Sequence, residues 1–211
     1  MKAIKKKRTA FKIQRRLMTE LPGLGKAGAL ERRPYPPGEH GNKRRKYSNY
    51  GLQLEEKQKV LFHYGVREKQ MQRFVLRAKR SSQSNWVSTL IRLLELRADN
   101  IVFRLGFAPS IPAARQLVAH GKVLVNGKKL DVASATLKEG DEIRLKDSAY
   151  SNQVYLQAKQ SPRLPLADYL VKEEKGGFEV GRIQSLPDIG HIPFQFDEGQ
   201  LTSYYSLKGG K

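Results

Sequence analysis

RADNIVFRLGFAPSIPAARQLVAHGKVLVNGKKL, residues 97 to 130, decides the fold, because each boundary within it carries its own local signal. Ser110 is a good helix N-cap, Pro112 is tolerated in a first turn whose backbone N–H groups lack helical partners, and Gly121 supplies the left-handed residue that ends a helix. These residues predict a helix from about Ile111 to His120, with Ile111, Ala114, Leu117 and Val118 on one apolar face and Arg115 and Gln116 pointing elsewhere. Val123 to Val125 is a short strand by pattern. Asn126-Gly127 comes next, the dipeptide best suited to a two-residue hairpin because both positions tolerate positive φ. Lys128 and Lys129 lie just past that turn, and Gly140-Asp141 leads into a further strand over Glu142 to Lys146. Upstream, Asp99 as cap and Ile101, Val102 and Leu105 as apolar positions predict a shorter helix with Arg97 and Arg104 on its polar side. Two small helices on a small sheet result.

Taken singly, each cation here is as readily a solvated surface group as a ligand-binding one; clustering is what argues for a polyanion. The whole chain agrees: 40 Lys and Arg against 20 Asp and Glu give a net charge of +20 and a pI near 10.2, the footprint of a nucleic-acid binder. Its distribution says more than its size. Residues 1 to 50 hold fifteen cations and three acids (+12), 51 to 96 nine and four (+5), 97 to 150 nine and six (+3), and 151 to 211 seven and seven (0). RNA is therefore expected on the N-terminal and middle parts, and protein contacts on the last sixty or so residues.

Residues 1 to 50 form a basic extension, rich in Lys, Arg, Gly and Pro with sparse apolar periodicity, expected to take its final shape only against RNA. Lys5, Lys6, Lys7 and Arg8, and Lys43, Arg44, Arg45 and Lys46, are runs that bring several positive heads to closely spaced phosphates. Tyr35, Tyr47 and Tyr50 either stack on exposed bases or anchor the extension to the helical domain. From Gln53 to Arg97 the pattern is helical: one helix over Leu54 to Tyr64, stopped by Gly65, a second over Arg67 to Arg80, and a third from Ser84 as N-cap, burying Val87, Leu90, Ile91 and Leu94. Glu55, Lys59 and their neighbours account for most charges of this bundle as i,i+4 pairs, leaving Lys57, Arg73, Arg77 and Arg80 as candidate phosphate contacts. After Tyr150, prolines at 162, 165, 187 and 193 interrupt any pattern.

Catalytic chemistry finds no foothold. Gly23 to Gly28 has the spacing of a dinucleotide-binding loop, but no strand precedes it and no acid comes after it in a βαβ context, so a flexible basic loop is expected. His40, His63, His120 and His191 are scattered, and with no cysteine there is neither a disulfide, a thiolate metal site nor a thiol nucleophile. His120, at a helix end, suits the negative helix terminus or a phosphate. No stretch approaches eighteen apolar residues, which excludes a membrane-spanning helix. The acid-free opening up to Thr19 could pass for a transit peptide, yet it is Lys-heavy and lacks serine.

Several runs together resemble a known family. PPGEHG at Pro36 to Gly41, GLQLEEKQK at Gly51 to Lys59, HYG at His63 to Gly65, and LLELRADNIVFRLGFA at Leu93 to Ala108 look like small-subunit ribosomal protein number four, the S-four family, and SYYS at Ser203 to Ser206 is similar to its close. Departures occur at Ala98, where leucine is usual, at Ile111, where a second arginine is frequent, and at Ser134-Ala135 in place of Ser-Tyr. The resemblance implies an α+β chain: extension 1–50, a helical domain 51–96 completed by 151–211, and an inserted RNA-binding domain 97–150 of two helices plus a sheet. It further implies direct binding to the 5′ domain of small-subunit ribosomal RNA, nucleation of subunit assembly, a contribution to decoding accuracy, and contact with neighbouring protein number five. No cofactor, small-molecule substrate or membrane is implied, and the expected place is the cytoplasmic small subunit or its organellar counterpart. Some relatives bind zinc through cysteines that this chain lacks. The RNA-binding residues indicated are Lys5, Lys6, Lys7, Arg8, Arg15, Arg16, Lys43, Arg44, Arg45, Lys46, Tyr47 and Lys57, with Arg97, Asn100, Arg104, Arg115, Gln116, His120, Lys122, Asn126, Lys128 and Lys129 in the middle domain. Two rivals are a modification enzyme carrying the same module, for which the remaining residues are too few, and a free-standing RNA-binding module in regulation or stress.

Overall fold

Residues 97 to 130 fold as their local signals dictate in a computed structural model that describes residues 9–43, 46–81 and 85–207. Helix α5 spans Ala98–Arg104, α6 Ile111–Ala119, and strands β1 (Val123–Val125), β2 (Lys128–Leu130) and β3 (Glu142–Leu145) come after them. Ser110 Oγ accepts from the Ala113 N–H at 3.3 Å, and Asn126 and Gly127 both take positive φ, 49° and 76°, as a tight hairpin turn requires. Asp99 does not cap α5: Arg97 holds the cap position, and the first N–H groups of the helix find main-chain carbonyls instead, Ala98 N to Ala135 O at 2.8 Å and Asp99 N to Ala133 O at 3.1 Å.

Ahead of this lie α1 (Ala10–Leu17), α2 (Asn49–His63), α3 (Glu68–Ser81) and α4 (Trp86–Glu95). Helix α2 starts five residues before its predicted start, with Ser48 Oγ accepting from Gly51 N. Asn85 caps α4, accepting from Val87 and Ser88, while Ser84 lies outside the described residues. The expectation that the extension needs RNA to take shape is corrected over residues 9–43. Leu17, Leu21 and Ala29 are buried, Gln14 Oε1 accepts from Leu21 N, and Glu20 Oε1 accepts from Gly28 and Ala29 N. Nor is Gly23–Gly28 a loose loop: Gly23 sits in a 3₁₀ turn at Pro22–Leu24, its N–H donating to His63 Nδ1 at 3.4 Å. Local apolar content is too sparse to show periodicity, but three well-placed apolar side chains suffice to dock the segment.

Residues 151–211 do not all complete the helical part, as the resemblance implied; they divide. Helix α7 (Gln153–Gln160) leads to strands β4 (Leu170–Lys175) and β5 (Phe178–Ile183), which join β1–β3 in one antiparallel sheet of order β2-β1-β3-β5-β4. Ile143 lies opposite Gly181 in that register. A Cβ at Gly181 would fall 2.4 Å from both Leu105 methyl carbons, so glycine is what lets the end of α5 rest on the sheet. The segment after β5 returns to the helices: the turn at Ile189–His191 meets α4, Phe194 packs on His63 of α2, and α8 (Glu198–Leu207) lies on α2, with Leu201, Tyr204 and Tyr205 buried.

Candidate nucleic-acid interface

The cations of residues 97 to 130 separate into two groups once the chain is folded. Arg97 is buried, its guanidinium held bidentately by Asp99, Nε to Oδ1 at 3.0 Å and Nη2 to Oδ2 at 2.7 Å. Arg115, half exposed, adds Nη2 to Asp99 Oδ2 at 2.7 Å and donates to the carbonyls of Tyr64 and Gly65 beyond the end of α2, where positive charge opposes the helix dipole. Asp99 thus ties α5, α6 and α2 together.

Glu95 is the second such centre. Its carboxylate, fully buried at the end of α4, accepts from Tyr64 Oη at 2.5 Å, Tyr169 Oη at 2.8 Å, Asn100 Nδ2 at 2.8 Å and Arg104 Nε at 3.1 Å, while Arg104 also donates to the His191 carbonyl. Burial opposes the Arg104 charge, but Glu95 more than restores it and holds the guanidinium above its ordinary pKa. Burial first and the Glu95 charge second push Tyr64 and Tyr169 up, so both phenols stay protonated donors. Sequence reasoning missed Glu95. Its signal is an acid in register with Val87, Leu90, Ile91 and Leu94 on the apolar face of a helix, a placement that demands buried donors.

Arg97, Asn100, Arg104 and Lys57, expected on RNA, therefore face the interior. Lys57 pairs with Glu68 and lies 5.1 Å from the Tyr204 ring centroid. Arg15 Nε donates to Tyr35 O at 3.0 Å with its guanidinium over that ring, and Arg16 Nη2 donates to Gln58 Oε1 at 2.7 Å, which fastens the extension to α2. Tyr35 thus packs within the extension itself, against α1, while Tyr50 lies 6.0 Å from Tyr204, centroid to centroid. His63 is buried, edge-on to Tyr64 and tilted against Phe194, each at 4.8 Å, and burial together with the Arg104 charge lowers its pKa to about 3.

The second group points outward. Gln116 and His120 are exposed on α6, Asn126, Lys128 and Lys129 are exposed at the hairpin, and Lys122 lies half-buried between them. Among the described residues no carboxylate pairs with His120, Lys122, Lys128 or Lys129. Asn126 differs, its amide bridging to Asp141 and Glu142 N and so fixing the turn. Lys43, Lys46 and Tyr47 are exposed on the extension; Lys5, Lys6, Lys7, Arg8, Arg44 and Arg45 lie outside the described residues. The end of α6 and the β1–β2 hairpin thus expose lysines, with no carboxylate partner among the described residues, that are free to meet phosphates. Among the described residues no group of metal-ligating side chains occurs, and no helix is long and apolar enough to cross a membrane.

Known proteins share this chain's sequence along most of its length. Residues 5–95 match the family model described as the ribosomal protein S4/S9 N-terminal domain, and residues 96–143 match the S4 domain. The chain is 62% identical over 199 residues to small ribosomal subunit protein uS4B of Bdellovibrio bacteriovorus, an alignment covering 94% of this chain and 96% of that protein. It is 42% identical to small ribosomal subunit protein uS4 of Methylobacillus flagellatus over 198 residues and 44% identical to that of a Nostoc species over 196, each covering 93% of this chain and 95% of the relative.

Proposed function

Because the chain belongs to the bacterial-type small ribosomal subunit protein uS4 family, and is a ribosomal structural protein rather than an enzyme, we propose that it binds the 5′ domain of small-subunit ribosomal RNA directly. In this reading it nucleates assembly of the subunit, contributes to translational accuracy, touches neighbouring protein number five, and works in the cytoplasmic ribosome. The observation that carries RNA binding is the set of exposed or half-exposed lysines Lys122, Lys128 and Lys129 beside Gln116 and His120, none of them paired with a carboxylate among the described residues, with Arg115 holding α6 in place; Lys43, Lys46 and Tyr47 are exposed on the extension. Such a face reads phosphates, 2′-hydroxyls and shape, since the deep A-form major groove excludes side chains. The chain divides accordingly into an extension over 1–50, a helical part over 51–96 with α8, and an RNA-binding part over 97–150 whose sheet α7, β4 and β5 enlarge.

The test is affinity for the 5′-domain RNA against an unrelated folded RNA of equal length, across a salt series. A preference that persists as salt rises is expected. Equal, steeply salt-dependent binding to both would overturn the reading, since log K then falls by about 0.7 to 0.9 per phosphate neutralised with nothing specific left over.

A further inference from the structure

Helix α3 carries a surface that the face on α6 and the hairpin does not use. Met71, Val75 and Ala78 are buried on its inner side, towards α4. On the outer side Arg73, Arg77 and Arg80 are all exposed, and with Leu76 and Ser81 they line an open concavity of about 490 Å³. Leu76, at 57% exposure, is the most exposed large apolar side chain among the described residues. None of the three arginines has a carboxylate partner among the described residues, whereas Lys57 and Lys79 are each engaged by neighbouring groups. Lys57 pairs with Glu68, and Lys79 donates to Tyr205 O at 3.4 Å and stands 5.1 Å from the Trp86 ring centroid. Packing of the helices thus accounts for Lys57 and Lys79 and leaves over the three arginines, with the exposed Lys69 one turn before Arg73.

Their spacing is regular. Positions i, i+4 and i+7 climb the helix in steps of about 6 Å and about 4.5 Å on one side, a ladder of forked donors fitted to successive phosphate oxygens. We propose that Arg73, Arg77 and Arg80 form a second docking surface for the RNA phosphate backbone, with Leu76 lying against a ribose between phosphates. A protein partner fits less well, because a stable protein interface hides about 800 Å² a side around an apolar centre, and here one leucine stands among charges. The inference rests on the ribosomal RNA-binding reading and extends it: two cationic surfaces on different elements of one body would hold two separate stretches of RNA.

The experiment uses the full chain, as wild type, as the triple variant Arg73→Gln/Arg77→Gln/Arg80→Gln, and as the double variant Lys128→Gln/Lys129→Gln. Binding to the 5′-domain RNA is measured across salt, and hydroxyl-radical footprints are taken on each complex. The triple variant is expected to melt like wild type, because its side chains are exposed, and to show a salt slope shallower by about 2. It should lose protection at nucleotides different from those lost in the double variant, and Arg→Lys at all three positions should retain most of the slope. An unchanged slope and complete footprint in the Gln variant, beside specific wild-type binding, overturns the surface alone. Unchanged RNA binding with loss of a neighbouring protein from reconstituted subunits also overturns it, making the face a protein contact. A wild-type chain that does not prefer ribosomal RNA overturns the functional reading from which this inference starts.

Discussion

The arginines around Asp99 and Glu95 and the lysines at the β1–β2 hairpin lie within some thirty-five residues of one another, yet they do opposite work. Arg97 and Arg104 are sealed against carboxylates between α4, α5 and α6, whereas Lys128 and Lys129 face solvent with no acid beside them. Neutralised charge holds the helices and the sheet in one arrangement, and surplus charge is what such a body can offer a polyanion. A cation's use is therefore set by its nearest carboxylate in space, not by its neighbours in sequence.

That contrast can be broken at its strongest point. Glu95→Gln leaves Arg104 buried without its counter-charge, and removing one partner of a buried pair costs about 3–5 kcal/mol; a large drop in melting temperature is expected, with RNA affinity of the remaining folded protein near wild type. Little change on melting would mean that the junction is not structural. Acid sharpens the same distinction through His63. Its folded-state pKa near 3 lies below the ordinary 6.5, so the unfolded chain binds the extra proton in that window. Stability is then fully present above about pH 6.5 and falls by about 1.4 kcal/mol for each unit down towards 3, a slope that urea titrations across pH should show for wild type and not for His63→Gln. Gly181→Ala sets a methyl against Leu105 and is expected to cost about 1–3 kcal/mol by overpacking, read as a lower denaturant midpoint. At the other extreme, Lys128→Gln/Lys129→Gln should move stability by less than about 0.5 kcal/mol while making the RNA salt slope shallower by about 1.5.

The hairpin and helix α6 are legible in the sequence because their determinants are local: Ser110, Pro112, Gly121 and Asn126-Gly127 each act on the backbone within a few residues of themselves. The partners of Arg97 and Arg104 are not, although Asp99 is two positions from Arg97, because a charged residue on a short helix shows no burial until its neighbours are in place. Tyr169 reaches Glu95 across 74 residues and His63 receives Gly23 across 40, separations over which periodicity carries no information. The β4–β5 hairpin does leave a trace in Gly176-Gly177 between two strand-like runs, a two-residue turn signal overshadowed by the surrounding prolines. Of the outward face, residue types and spacing are visible in the sequence, and what only the fold supplies is which cations remain unpaired.

The return of α8 onto α2 has a consequence for the order in which the molecule is made. Lys57 and Tyr204, neighbours in the finished protein, are separated by 147 positions, so the whole sheet must be synthesised before α2 receives its cover. During that interval the surface of α2, and of α3 and α4 beside it, that Leu201, Tyr204 and Tyr205 later cover is bare, while the hairpin and α6, built from close contacts, can already have formed. A chain released before α8 would thus carry a lysine-bearing hairpin on an unfinished body, and the surplus charge of its basic extension would help keep that intermediate from self-association.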